Sequence, residues 1–152
     1  MSVARLGSAL SSLAVCITCG SANRVPADKP ADAAKCGRCG APLGLDAAIE
    51  VSDDELKQVL EKSSGLVLLD IWAPWCGPCR AMAPQFAAAA KALAGRVRLV
   101  KLNADNSQMV RSFDVSGIPA LILFREGRIV DRQAGLIKAD ALVAWVRGHL
   151  AN

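Results

Sequence analysis

Six cysteines in a chain of 152 residues form three Cys-x-x-Cys pairs, a spacing that recurs in metal and redox sites. Two pairs, Cys16 with Cys19 and Cys36 with Cys39, are each followed by glycine and are separated by 16 residues. Four thiolates at this spacing are typical of a zinc ribbon, in which they close a tetrahedral site. We therefore predict zinc at these four cysteines. The alternatives are two disulfides, or reduced thiols without metal.

The stretch between these two pairs cannot build a core of its own. Residues 23–34 contain two prolines and two aspartates and have no hydrophobic period. Zinc would therefore supply the folding free energy of this segment. The sequence predicts three parts, which are an extension over residues 1–15, a zinc-ribbon-like four-cysteine domain over 16–46 and a larger domain over 47–152.

The third pair, Cys76-Gly77-Pro78-Cys79, lies in a different context because strong helix formers follow it through residue 93. Pro78 suits the first turn of a helix, so this pair opens one. The helix dipole and unpaired N–H groups at that end stabilise a thiolate and lower its pKa. We predict Cys76 as the nucleophile and Cys79 as the thiol that resolves a mixed disulfide.

The element before this pair carries a buried acid. Residues 66–72 form a continuous apolar run of strand length, which is typical of a strand covered on both faces, and Asp70 interrupts it. Burial raises the pKa of a carboxyl group. Asp70 is therefore a candidate proton acceptor for the two thiols, the alternative being a strand-end residue that reaches solvent.

The larger domain is predicted to be an α/β unit with a mixed central sheet flanked by helices. Its predicted strands are residues 48–51, 66–72, 97–103, 120–125 and 128–133, and its predicted helices are 52–62, 76–93, 107–113 and 138–150. We expect Arg96, Arg98 and Lys101 to alternate along an edge or to reach solvent. His149, the single histidine, is expected on the solvated surface, which disfavours a Ser-His-Asp or Cys-His hydrolase.

Residues 72–80, Trp-Ala-Pro-Trp-Cys-Gly-Pro-Cys-Arg, resemble the active site of the thioredoxin family, and the resemblance extends over residues 48–152. It implies the thioredoxin fold and thiol–disulfide exchange through Cys76 and Cys79. The four-cysteine segment resembles that of the zinc-containing bacterial branch of the family. The other site residues that the resemblance implies are the active-site Gly77 and Pro78, the cis-proline Pro119, the buried acid Asp70 with Lys101 near it, and Trp75, Ile118 and Gly135 beside the substrate.

One position departs from the family pattern. Members usually carry threonine after the cis proline, and here Ala120 follows Pro119. The change removes a hydroxyl group near the substrate groove, so it bears on substrate specificity and leaves the thiol chemistry unaffected.

The resemblance also implies disulfide-containing substrate proteins and a flavin-dependent, NADPH-fed thioredoxin reductase as electron donor, so FAD and NADPH would not bind here. We expect a cytoplasmic monomer. A net charge of +4 spread over both parts argues against nucleic acid, and residues 6–23 are too polar to span a membrane. Two alternatives stay open. One is export or lipid anchoring through the segment before Cys16, and the other is a ribbon that binds protein or nucleic acid.

Overall fold

The computed structural model describes residues 11–150, which form two sheets and three α-helices. The strands are β1 (Ser11–Val15), β2 (Ala22–Pro26), β3 (Ile49–Glu50), β4 (Leu66–Trp72), β5 (Val97–Asn103), β6 (Ala120–Arg125) and β7 (Arg128–Ala134). The helices are α1 (Asp53–Lys62), α2 (Gly77–Ala92) and α3 (Ala139–Leu150). The larger sheet has the order β3-β5-β4-β6-β7. Strands β3, β5 and β4 run parallel, β6 runs antiparallel to β4, and β7 runs antiparallel to β6. The predicted mixed sheet is confirmed.

Alternation along β4 divides the core into two layers. Leu66 and Leu68 pack in one cluster with Met82 and Phe86 of α2. The intervening residues pack on the opposite face with α1, in a second cluster of Val67, Leu69, Ile71, Leu56 and Val59. Both faces of β4 are covered, as the continuous apolar run predicted. Each residue of β4 and β5 therefore faces either α2 or α1, according to its place in the alternation.

Helix α1 begins where the sequence predicts a helix start, with Ser52 as its N-cap residue. The Ser52 hydroxyl accepts a hydrogen bond from the Glu55 backbone N–H at 3.2 Å, and the Glu55 carboxylate accepts one from the Ser52 N–H at 2.9 Å. This reciprocal arrangement is a capping box, which satisfies two backbone donors at the helix start.

The smaller sheet is the antiparallel hairpin of β1 and β2, and the first cysteine pair lies in the turn between them. Gly20 and Gly40 close the two cysteine turns with φ of 79° and 80°, a conformation that favours glycine. The predicted extension over residues 1–15 thus ends inside this hairpin, since residues 11–15 are β1. Residues 1–10 of that extension lie outside the described part of the chain.

The hairpin is joined to the larger unit by backbone and apolar contacts. The Leu13 N–H donates to the Ser64 hydroxyl at 2.7 Å, and the Ser64 N–H donates to the Leu13 carbonyl at 3.2 Å. Val15 is buried in the same apolar cluster as Leu56 and Val59 of α1. The four-cysteine unit therefore contributes a side chain to the core of the larger one.

The short helix expected at residues 107–113 is present over part of that range and is not an α-helix. The segment instead forms a 3₁₀ helix over Met109–Phe113, after another over Ala104–Asn106. The Asp53 carboxylate accepts hydrogen bonds from the Ser107 hydroxyl and the Gln108 N–H, at 2.5 and 2.8 Å. These long-range bonds connect the segment to the start of α1.

Two expectations about exposure are also corrected. Arg98 is buried, because β5 is an inner strand and the four-cysteine unit covers this end of it. Lys101 is half-buried on the same strand. His149 is also half-buried, and its Nε2 lies 2.8 Å from the Asp131 carboxylate, which connects α3 to β7.

The remaining differences from the predicted elements are of one or two residues at their ends. The first strand of the larger sheet spans two residues, Ile49–Glu50, where four were expected. Within residues 11–150, the structure contains no helix with the length and apolar character needed to cross a lipid bilayer.

Candidate active site and metal centre

Cys76 and Cys79 form a disulfide at the start of α2, with their Cα atoms 5.2 Å apart. Cys76 is the N-cap residue, and its sulfur accepts a hydrogen bond from the Cys79 backbone N–H at 3.2 Å. In the reduced protein the same N–H group and the helix dipole favour a negative charge on Cys76. The predicted position of the pair at a helix start is the position observed.

The disulfide lies beneath an exposed rim. Cys76 and Cys79 are 5% and 3% exposed, so both sulfurs of the oxidised pair are buried. The two sulfurs differ in their neighbours, because Cys76 Sγ lies 3.8 Å from the Ile118 carbonyl oxygen. Trp75, which is 68% exposed, and Gly77 and Pro78 form the rim around the pair.

The loop opposite the thiols carries the residues that the resemblance pointed to. The Ile118–Pro119 peptide bond is cis, and the Gly135 N–H donates to the Pro119 carbonyl at 2.9 Å. These three residues border a cavity of about 500 Å³ together with Ala120. Ile118 thus lies next to both the disulfide, with its carbonyl oxygen 3.8 Å from Cys76 Sγ, and this cavity.

Asp70 is 1% exposed, and its Oδ1 atom has no hydrogen-bond partner among residues 11–150. Burial raises the pKa of Asp70 to about 7, although the positive charge of Lys101 opposes this shift. Asp70 lies two residues after Leu68, on the face of β4 that α2 covers. Its carboxyl group is therefore on the side of the sheet that is covered by α2, the helix whose first turn contains Cys79.

A second carboxylate, Glu50, belongs to this group and was not predicted. In the register of the sheet, Lys101 lies between Asp70 on β4 and Glu50 on β3. The Glu50 carboxylate accepts hydrogen bonds from Trp72 Nε1 at 3.0 Å and from the Asn103 N–H at 3.1 Å. Partial burial raises the pKa of Glu50, and the bond from Trp72 opposes the shift. Only the strand order brings Glu50 here, so chain spacing gave no signal.

Aromatic contacts fix two tryptophans beside the thiols. Lys101 Nζ lies 4.8 Å from the centre of the Trp72 ring, a cation–π contact. Trp75 Nε1 donates to the Asp105 carboxylate at 3.0 Å, a contact that sequence reasoning also missed. The exposed Trp75 ring is therefore held in place by its nitrogen.

The other four cysteines come together in one cluster. The Sγ atoms of Cys16, Cys19, Cys36 and Cys39 all lie within 4.8 Å of one another. Cys16 and Cys39 are 3.6 Å apart, as are Cys19 and Cys36, and none is in a disulfide. A tetrahedral zinc site with Zn–S bonds of about 2.3 Å places its sulfurs about 3.8 Å apart. The cluster therefore fits zinc.

Polar groups beside Cys19 and Cys36 favour the thiolate form of these two cysteines. The Ser21 hydroxyl lies 3.0 Å from Cys19 Sγ and 3.2 Å from Cys36 Sγ. Its hydrogen bonds lower the pKa of both thiols, that of Cys36 to about 5. The Arg38 N–H also donates to Cys36 Sγ, at 3.4 Å. Such bonds to ligand sulfur are the outer contacts that orient a metal site.

Comparison with known proteins agrees with this geometry. The thioredoxin family model matches residues 47–148, and the model of the thioredoxin 2 N-terminal zinc ribbon matches residues 15–41. Thioredoxin C-3 of Corynebacterium nephridii is 36% identical over 137 residues, which cover 90% of this chain and 94% of that protein.

Two further relatives cover mainly the larger unit. The thioredoxin of Haemophilus influenzae is 35% identical over 107 residues, covering 70% of this chain and all of that protein. The crystal structure of Malassezia sympodialis thioredoxin superposes with a TM-score of 0.60 at 29% identity, over 68% of this chain and 90% of that one.

Proposed function

This chain belongs to the thioredoxin family and is a thiol–disulfide oxidoreductase, and from that premise we propose that it reduces disulfides in proteins through Cys76 and Cys79. The observation that carries the proposal is the environment of Cys76 Sγ. The sulfur lies at the start of α2, accepts the Cys79 N–H, and is 3.8 Å from the carbonyl oxygen of Ile118, a residue that lines the neighbouring cavity.

The reaction transfers two electrons from the thiol pair to the substrate. The Cys76 thiolate attacks one sulfur of the substrate disulfide, forms a mixed disulfide and releases the other substrate sulfur as thiolate. Cys79, once deprotonated, then attacks Cys76 Sγ. That step forms the Cys76–Cys79 disulfide and releases the second substrate thiolate. Return to the dithiol requires an external two-electron donor, for which we propose a thioredoxin reductase.

Asp70 is the acceptor for the Cys79 proton in this scheme. Its carboxyl group lies on the side of the sheet that α2 covers, and a pKa of about 7 allows it to take up and release a proton near neutral pH. Lys101, its neighbour across the strand pair, stabilises the carboxylate that results when the proton leaves.

The groove beside the thiols is the proposed binding site for an extended substrate segment. The Ile118 backbone next to Pro119 is available for strand-like hydrogen bonds, and Gly135 leaves room for a main chain to pass. Trp75 supplies an exposed apolar surface at the rim. Gly77 and Pro78 keep the approach to Cys76 free of long side chains.

We propose that Cys16, Cys19, Cys36 and Cys39 hold one zinc ion, which when bound supplies the bonds that close the four-cysteine unit. Thiolate ligands and a dithiol both persist in a reducing compartment, so we propose that the protein is cytoplasmic. We also propose that it is a monomer. The proposed division of the chain remains residues 1–15, 16–46 and 47–152.

The test of the proposed function is the trapping of a mixed disulfide. The reduced Cys79→Ser protein should accumulate a mixed disulfide with insulin or another disulfide-containing protein, because the resolving thiol is missing. The Cys76→Ser protein should form none and should lose turnover. Covalent capture by Cys76→Ser but not by Cys79→Ser would reverse the two roles, and turnover by Cys76→Ser would refute the site.

A further inference from the structure

Arg98 is a buried cation that the thiol chemistry does not use. It is 8% exposed and lies within the apolar run of β5. Its three guanidinium nitrogens have no hydrogen-bond partner among residues 11–150. A buried charge without a compensating charge strongly destabilises a fold. A protein that keeps a guanidinium at this position therefore needs a negative charge close to it.

The alternation of β5 directs Arg98 toward the four-cysteine unit. Val97 and Leu99 pack on the α2 face of the sheet, so Arg98 lies on the opposite face with Val100. That face is the one on which Val15 of β1 is buried. The side chain of Arg98 thus extends from the larger sheet toward the hairpin.

The hairpin places Cys16 on the side that Arg98 reaches. Ser12 and Ala14 of β1 line a cavity of about 340 Å³ together with Arg98. Cys16, two residues after Ala14, belongs with it to the small apolar cluster of the four-cysteine unit. Burial lowers the pKa of Arg98 to about 10, and attraction to the Cys16 thiolate opposes that shift.

The charge of the cluster supplies the missing partner. Four thiolates around one Zn²⁺ carry a net charge of −2, held here in a unit whose Cys16 is fully buried. No carboxylate among the described residues forms a hydrogen bond or ion pair with Arg98. The four-cysteine cluster is therefore the negative group that Arg98 faces.

We propose that Arg98 is the internal counter-charge of the zinc centre, a positioning residue on the larger sheet that stabilises the thiolate ligands through Cys16. This inference rests on the zinc binding proposed above. It makes metal occupancy and the docking of the four-cysteine unit interdependent, because the negative site and its counter-charge lie on opposite sides of the contact between the two units.

Zinc transfer from the full-length reduced protein to a chromogenic chelator at fixed pH tests the proposal. Arg98→Met keeps the length of the side chain and removes its charge, and should lower zinc affinity about 10- to 100-fold, the loss typical of outer contacts to metal ligands. Arg98→Lys keeps the charge and should recover most of the affinity. Arg96→Met is the matched control, because Arg96 is exposed beside the same cavity and should change the affinity less than about twofold.

Urea unfolding separates this role from simple packing. Without zinc, Arg98→Met should be as stable as the wild type or more stable, because it removes a buried charge. Zinc should raise the urea unfolding midpoint of Arg98→Met by less than it raises that of the wild type. Equal zinc affinity in the two proteins, or equal destabilisation with and without zinc, would overturn the proposal. A wild-type chain that binds no zinc would instead refute the proposed metal centre, and a chain that binds zinc but fails the Cys79→Ser trapping would refute only the disulfide reduction.

Discussion

Replacing Asp70 by asparagine should stabilise the protein in a way that depends on pH. Asp70 has a pKa of about 7 in the folded protein, against an ordinary value of 3.8. Between these two values the unfolded chain loses the proton while the folded chain retains it, so the stability of the wild type falls as pH rises. A difference of about three pKa units corresponds to about 4 kcal/mol, which is the full loss above pH 7.

The Asp70→Asn protein lacks this titration. Its free energy of unfolding should come close to that of the wild type near pH 4, where the folded carboxyl is protonated and only about half of the unfolded chains have lost the proton. At pH 8 it should exceed the wild-type value by up to about 4 kcal/mol. With a urea m-value of about 2 kcal/mol/M, the unfolding midpoint then moves up by roughly 2 M.

Urea titrations of the oxidised, zinc-loaded protein at pH 4, 6 and 8, followed by tryptophan fluorescence, measure this difference. Asp28→Asn is the control, because Asp28 is exposed and its replacement removes the same charge. Stabilisation of Asp70→Asn by the same amount at every pH would mean that packing and not charge is responsible. An unchanged midpoint at pH 8 would show that the Asp70 carboxylate is well solvated, and the proposed proton acceptor would lose its physical basis.

Three further outcomes are expected. Glu50→Gln should lower the pKa of Asp70, read from the pH dependence of unfolding, by less than about one unit, because Glu50 is exposed and its charge is screened; a rise would contradict the charge network. The fragment of residues 47–152 should fold and reduce insulin but unfold about 2 kcal/mol more easily than the full chain, since Val15 no longer covers α1; equal stability would mean that this contact contributes nothing. Graded peroxide should release about one zinc per chain to a chromogenic chelator as the ligand thiols are oxidised, whereas release only on denaturation would indicate a sealed structural site.

The elements that sequence could predict are those whose signals are local. The capping box at Ser52, the helix that starts at the Cys76 pair and the two-face burial of β4 each depend on residues close together in the chain. Asp70 could also be predicted as a buried acid, because a charged residue inside an apolar strand is visible without a structure. These features follow from propensity, capping and hydrophobic pattern alone.

What could not be predicted depends on contacts between distant segments. Glu50 joins Lys101 only because β3 lies beside β5, and the segment at residues 107–113 is connected to the start of α1 by the bonds of Asp53. Arg98 interrupts an apolar run just as Asp70 does, yet its burial depends on the hairpin that covers it. The reasoning used for Asp70, that a charged residue inside an apolar strand is a candidate for burial, would also have singled out Arg98.

The separation of the two sulfur sites along β4 protects the chain from scrambling its own disulfides. The hairpin is bonded at Ser64, just before this strand, whereas Cys76 and Cys79 follow its far end. Thiol–disulfide exchange requires direct contact between sulfur atoms, and the two sets of sulfurs lie in separate apolar clusters. A single molecule can thus hold one oxidised pair and four free thiols at once. Within one folded chain, the redox pair and the four-cysteine cluster can therefore each be oxidised or reduced without forming disulfides with the other.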